Sequence, residues 1–108
     1  MRAVTDAEFP EVVLGSSRPV LVDFWAPWCT YCTRMEPVLE AIAHDFADSL
    51  DVVSVNVDET VRTPAMYSVS TLPTLMLFRG GDVVKILTGA QSRETVEAAL
   101  RDASVSPR

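Results

Sequence analysis

The stretch Val20-Leu21-Val22-Asp23-Phe24-Trp25-Ala26-Pro27-Trp28-Cys29-Thr30-Tyr31-Cys32 decides how this chain is read. Its first six residues are a nearly continuous apolar run of strand length, the pattern of a central strand covered on both faces. Beyond Ala26-Pro27-Trp28, the residues Met35, Val38, Leu39, Ile42 and Phe46 recur at helical intervals on one face. Pro37, inside that pattern, predicts a kink one turn into the helix. A strand that runs into a helix opening with Cys-x-x-Cys brings both sulfurs to one helical face, within bridging reach. Cys29 then sits where unpaired N–H groups and the helix dipole favour negative charge, and the thiolate is the attacking species in disulfide exchange. Cys32, one turn in, is more sheltered and suited to resolving a mixed disulfide.

Working outward, Thr5 and Glu8 have capping-box spacing, and a short helix is expected there or from Pro10 to about Gly15. Val52 to Val57 is β-branched and alternating, hence a second strand. Thr63 and Pro64 read as cap and first residue of a short helix within Thr60 to Ser68. Thr74–Phe78 and Val83–Leu87 flank Arg79-Gly80-Gly81-Asp82 and predict an antiparallel hairpin. A last helix is expected from Ser92 as cap through Leu100, with Glu94 near its positive end. This order gives an α/β sheet with helices on both faces.

With 108 residues, the expectation is one domain over residues 1–108, with Ala103 to Arg108 as a frayed tail. Fifteen acidic against nine basic residues give a net charge of −6, which counts against nucleic acid or an anionic membrane as partner. No span reaches the roughly 18 apolar residues of a membrane helix. Met1 to Glu8 carry charges and no apolar h-region, so with Met1 as the natural start a cytoplasmic location is expected. Thiols there are normally reduced, and a structural staple between Cys29 and Cys32 would close too short a loop to stabilise much. A zinc site needs about four ligands. Two cysteines and the lone His44, off the apolar helix face, do not supply them within one chain, although a metal shared between two chains stays open.

The run Val22-Asp23-Phe24-Trp25-Ala26-Pro27-Trp28-Cys29-x-x-Cys32, followed by Pro37, resembles the active-site region of the thioredoxin family. The similarity continues at Leu72-Pro73-Thr74 before an apolar strand, at Gly81 and at Gly89-Ala90, and covers about Thr5 to Leu100. It implies a thioredoxin-like α/β fold, a central mixed β-sheet flanked by helices on both faces. It also implies that Cys29 is the nucleophile, Cys32 the resolving thiol, and Asp23 a buried carboxyl beneath Cys32 that helps move its proton. Leu72-Pro73 matches the family's cis-proline loop, whose backbone pairs with an extended substrate segment. Trp28, Thr30, Tyr31, Leu72, Pro73, Gly89 and Ala90 are the implied substrate-binding residues. The implied activity is that of a protein-disulfide reductase, a dithiol carrier whose redox-active Cys29–Cys32 disulfide is recharged by an external NADPH-dependent thioredoxin reductase. No GxGxxG fingerprint is present, so no bound flavin or nicotinamide is expected. The expected partners are that reductase and disulfide-containing clients, met transiently by a monomer, with no metal, nucleic acid or membrane.

Plainer readings stand beside these. Asp23 is also compatible with an exposed position on a half-covered strand, Trp28 with the core, and Trp25 and Tyr67 with packing alone. Two departures from the family pattern matter. Thr30-Tyr31 replaces the usual Gly-Pro, and Tyr31 restores a backbone N–H that proline lacks near the Cys29 sulfur. Ser54 stands where the family commonly has a lysine beside the buried aspartate. The Thr-Tyr dipeptide keeps open a glutathione-coupled, glutaredoxin-like reductase or a disulfide isomerase. A non-catalytic binding module of the same fold is the third alternative.

Overall fold

Strand β2 (Val20–Trp25) is the middle of a five-stranded sheet in the computed structural model, which describes residues 1–107. Its neighbours are β3 (Asp51–Asn56), parallel, and β4 (Thr74–Arg79), antiparallel. The edges are β1 (Arg2–Ala3), parallel to β3, and β5 (Asp82–Thr88), antiparallel to β4, in the order β1-β3-β2-β4-β5. The expected mixed sheet is therefore present, with one addition. The two-residue β1 has no periodic signal of its own and exists through its ladder to Val53 and Ser54.

Side chains alternate across a strand, and here each face finds its own cover. On one face Leu21, Leu75 and Leu77 pack against Met35, Leu39 and Ile42 of α1 (Thr30–Asp45) and Val96 and Leu100 of α3 (Arg93–Asp102). On the other, Val20, Val22, Phe24, Met76 and Phe78 meet Phe9 and Val13. Phe9, Tyr67 and Phe78 meet there in tilted and edge-on contacts, with ring centroids 5.2 to 5.8 Å apart. The same alternation puts Asp23, two residues after Leu21, on the α1 side of the sheet.

Local chemistry explains most of the boundaries. Thr5 N–H donates to Glu8 Oε1 at 3.0 Å, and Pro10–Leu14 then forms a wide π-helical turn closed by Gly15 N–H to the Pro10 carbonyl. Helix α1 continues through Pro37 to Asp45. Gly80 and Gly81, at φ +59° and +85°, supply the two left-handed positions of the β4–β5 hairpin turn. Ser92 Oγ caps α3 by accepting the Thr95 N–H at 3.2 Å.

Two expectations fail. Helix α2 (Arg62–Met66) starts before Thr63, because its first amides are capped from afar: the Asp6 carboxylate accepts the N–H groups of Arg62 and Thr63 and the Thr63 hydroxyl. The tail after α3 is packed rather than frayed at Ala103 to Val105. Ser104 takes φ +63°, its N–H donates to the Arg101 carbonyl, and Val105 N–H donates to the Leu100 carbonyl at 2.8 Å. This is a Schellman ending without the usual glycine, and it drives Val105 to 2% exposure against the α1–α3 core. Arg108 lies outside the described residues.

Val105→Ser tests that ending. A buried valine lost to a hydroxyl should cost about 1.5–3 kcal/mol in a urea titration, whereas a frayed tail would leave stability within about 0.5 kcal/mol.

Candidate functional site

The first turn of α1 leaves amides without intrahelical partners, and Cys29 occupies the cap position in extended conformation (φ −87°, ψ 108°). Its Sγ accepts the Cys32 N–H at 3.2 Å, while its own N–H donates to the Ala26 carbonyl at 3.1 Å. Strand β2 thus hands the chain directly to the helix start. The two cysteines form a disulfide with Cα atoms 5.3 Å apart, inside the usual bridging range. Cys29 is 7% exposed and Cys32 3%, so both sulfurs are sheltered and the expected contrast between them is small. They pack with Ala26 and Leu72. The amide that reaches the Cys29 sulfur is that of Cys32, not that of Tyr31 as the sequence suggested.

Outside the disulfide lies an open, mostly apolar groove of about 560 Å³, lined by Trp28, Cys29, Thr30, Tyr31 and Leu72. Val57, Pro64, Val69 and Ser70 complete it. Sequence reading missed these four as site residues: Val57 follows β3, Pro64 lies inside α2, and Val69 and Ser70 lie in the loop after it. Trp28 is 68% exposed and so is surface rather than core, held by its Nε1–H on Asp58 Oδ1 at 3.1 Å. Tyr31 is 58% exposed, with the Arg34 guanidinium 5.8 Å from its ring centroid, a cation–π distance. Pro73, Gly89 and Ala90 stand apart from this groove lining. The Leu72–Pro73 bond is cis, and the Pro73 carbonyl accepts the Gly89 N–H at 2.8 Å, which ties the two loops together. Gln91 N–H, just beyond, reaches Met35 Sδ of α1.

Behind the disulfide, Asp23 is 4% exposed and its Oδ1 has no hydrogen-bond partner. It shares a cavity of about 130 Å³ with Cys32, Trp25, Ser54, Glu36 and Glu40. Burial, and then the Glu36 charge, push its carboxyl up to about 7 from an ordinary 3.8. A carboxyl poised there can accept or release a proton near neutrality. Ser54, its register partner on β3, brings no charge to offset this. Glu36 is a further residue that sequence reading missed, since its nearness to Asp23 arises only from α1 folding back over β2.

Among the described residues no group of three or more His, Cys, Asp or Glu is arranged to hold a metal ion. His44 is exposed beside Asp45. Among the described residues no helix is long and apolar enough to cross a membrane.

The family model described as Thioredoxin matches residues 1–102. The chain is 48% identical over 99 residues to a thioredoxin from Alicyclobacillus acidocaldarius subsp. acidocaldarius, covering 92% of this chain and 93% of that protein. It is 46% identical over 98 residues to thioredoxin 1 from Synechococcus elongatus, covering 91% and 92%. A thioredoxin from Porphyra purpurea is 43% identical over 97 residues, covering 90% and 91%. The chain belongs to the thioredoxin family, has the thioredoxin fold, and is a thiol–disulfide oxidoreductase of the dithiol-carrier kind.

Asp23 gives a pH prediction with a definite sign. Its folded pKa, about 7, exceeds its ordinary value of 3.8, so between these values the folded state binds more protons. Stability therefore falls as pH rises from about 4 to 7 and levels off above. Asp23→Asn removes the effect. In urea titrations the oxidised variant should gain up to about 4 kcal/mol over the parent at pH 8, and the gain should vanish by about pH 4. Parallel pH profiles for the two proteins would refute the assignment.

Proposed function

We propose that Cys29 attacks the disulfide of a client protein, that Cys32 resolves the resulting mixed disulfide, and that Asp23 takes the Cys32 proton. The observation that carries this reading is the Cys32 N–H donated to the Cys29 sulfur at the helix start. In the reduced protein the same amide meets a thiolate, and a charge-assisted bond at a helix N-terminus favours that anion by about 1 kcal/mol or more. Attack forms a Cys29–client S–S bond and expels the second client sulfur, which takes a proton. Cys32 then gives its proton to Asp23 and attacks the Cys29 sulfur. The mixed disulfide breaks, and the client leaves as a dithiol. Two electrons pass from the cysteine pair to the client.

The groove beside Cys29 suits an extended client segment: Trp28, Tyr31 and Leu72 offer apolar surface, and Thr30 lies at the rim. The linked Pro73 and Gly89 loops, with Ala90, form the neighbouring docking edge. The electrons come from an external NADPH-dependent reductase, and the resident redox group is the cysteine pair itself. A monomer in one domain, meeting reductase and clients transiently, fits the small exposed patch around Trp28. Cytoplasm, where thiols are kept reduced, is the compartment that suits a reduced carrier.

Turnover of insulin disulfides with a thioredoxin reductase and NADPH, against turnover with glutathione and its reductase, tests the reading. The former should support sustained reduction, abolished by Cys29→Ser, while Cys32→Ser should accumulate a client-linked species visible on a non-reducing gel. Faster turnover with glutathione would favour the glutaredoxin-like alternative. Full activity in Cys29→Ser would remove the proposed nucleophile.

A further inference from the structure

A proton that Asp23 takes from Cys32 has to travel outward to reach solvent. The carboxyl is buried and its Oδ1 unpartnered. Trp25 Nε1 is a second buried polar atom without a partner, and Trp25 lines the same cavity. Buried polar groups without protein partners are served by water wherever the space is polar and large enough. A cavity of about 130 Å³ lined by Asp23, Trp25, Ser54 and two glutamates meets both conditions.

Glu36 stands at the solvent side of this cavity. It follows Cys32 by four residues, which sets both on one face of α1, and it is exposed where Asp23 is buried. The other groups around Asp23 are accounted for. Glu40, one turn further along α1, pairs with the Met1 amino group at 3.2 Å. Ser54 on β3 and Leu75 on β4, the register partners of Asp23, are uncharged. Glu36 has no ion-pair partner among the described residues.

We propose that Glu36 is the outer station of a two-carboxyl proton relay, in which the Cys32 proton passes to Asp23, then through cavity water to Glu36 and out to solvent. The inference rests on the reading of Asp23 as the proton acceptor for Cys32. As Cys32 Sγ forms its bond to Cys29, its proton moves to the Asp23 carboxylate, and the client sulfur leaves with the electron pair of the broken bond. One proton then leaves Asp23 by way of Glu36, which forms no bond to sulfur and carries no electrons. Reduction of the disulfide by an upstream dithiol uses the path in reverse. The Glu36 charge has a second effect, holding the proton on Asp23 at higher pH than burial alone would. Glu36 acts through Asp23, so it is a positioning residue for the proton rather than a catalytic one.

The test is the rate at which the mixed disulfide is resolved, in single-turnover reactions of the full chain with a small disulfide client, across pH and buffer concentration. Glu36→Gln keeps shape and loses the titrating group. In dilute buffer near pH 7 it should slow resolution by about tenfold, less than the 10²–10⁴ supplied by a directly acting acid–base group. Added imidazole or formate should restore the rate in the variant and leave the parent unchanged. The Asp23 titration, followed by carbon-13 NMR of its carboxyl, should move below 7 in Glu36→Gln. Ser54→Lys, which supplies a cation to the same cavity, should move it the same way. A Glu36→Gln protein with parental rate, buffer independence and pH profile overturns the relay, provided that Asp23→Asn slows resolution. If Asp23→Asn resolves at the parental rate, the reading of Asp23 falls and the relay with it.

Discussion

One backbone N–H holds the chemistry of this chain in place. Cys32 donates it to the Cys29 sulfur across the first turn of α1, and every other part of the site is arranged around that turn. The bond forms because Cys29 is the last extended residue before the helix, where amides have no carbonyl one turn back. That corner is fixed in turn by β2, paired on both sides and buried from Val20 to Phe24. A sulfur on a loop would have the same amides nearby only part of the time. Here strand, corner and helix leave it little choice.

The two sides of the disulfide then serve different ends. The outer side opens on an apolar groove with an aromatic rim, suited to another chain's backbone. The inner side closes on a buried carboxyl that the fold would be more stable without, set beside Cys32 and Trp25 by the alternation of β2. Local rules broken in this way are characteristic of working sites, where stability is given up for reactivity. The same buried position in a purely structural strand would be expected to hold another leucine or valine.

Much of this was legible in the sequence, and the exceptions share a cause. β2, α1 and the glycine hairpin announce themselves through an apolar run, a 3.6-residue period and two glycines that tolerate positive φ. What escaped depends on partners distant in the chain or on unusual residues in familiar roles. β1 exists only against β3, and the start of α2 is set by Asp6. Both α2 and α3 end in left-handed serines, Ser68 and Ser104, where a glycine would have marked the stop. Those endings carry Val69 to the groove and Val105 to the core. At the site, the motif identified the cysteines and pointed to Asp23, yet Glu36, Val57 and Val69 became visible only once the chain had folded back on itself.

The Asp6 clasp on α2 has a consequence for how the protein responds to its surroundings. Its hydrogen bonds from Thr63 and Arg62 hold the Asp6 carboxyl below the usual carboxylate range, so the clasp stays shut unless the medium becomes strongly acidic. Pro64, on the element it secures, is one wall of the groove beside Cys29. Asp23, by contrast, changes charge near neutrality. The carboxyl that secures a groove wall and the carboxyl behind the disulfide are thereby set to separate acidity ranges, so a drift in pH about neutrality alters the charge of the second and leaves the first in place.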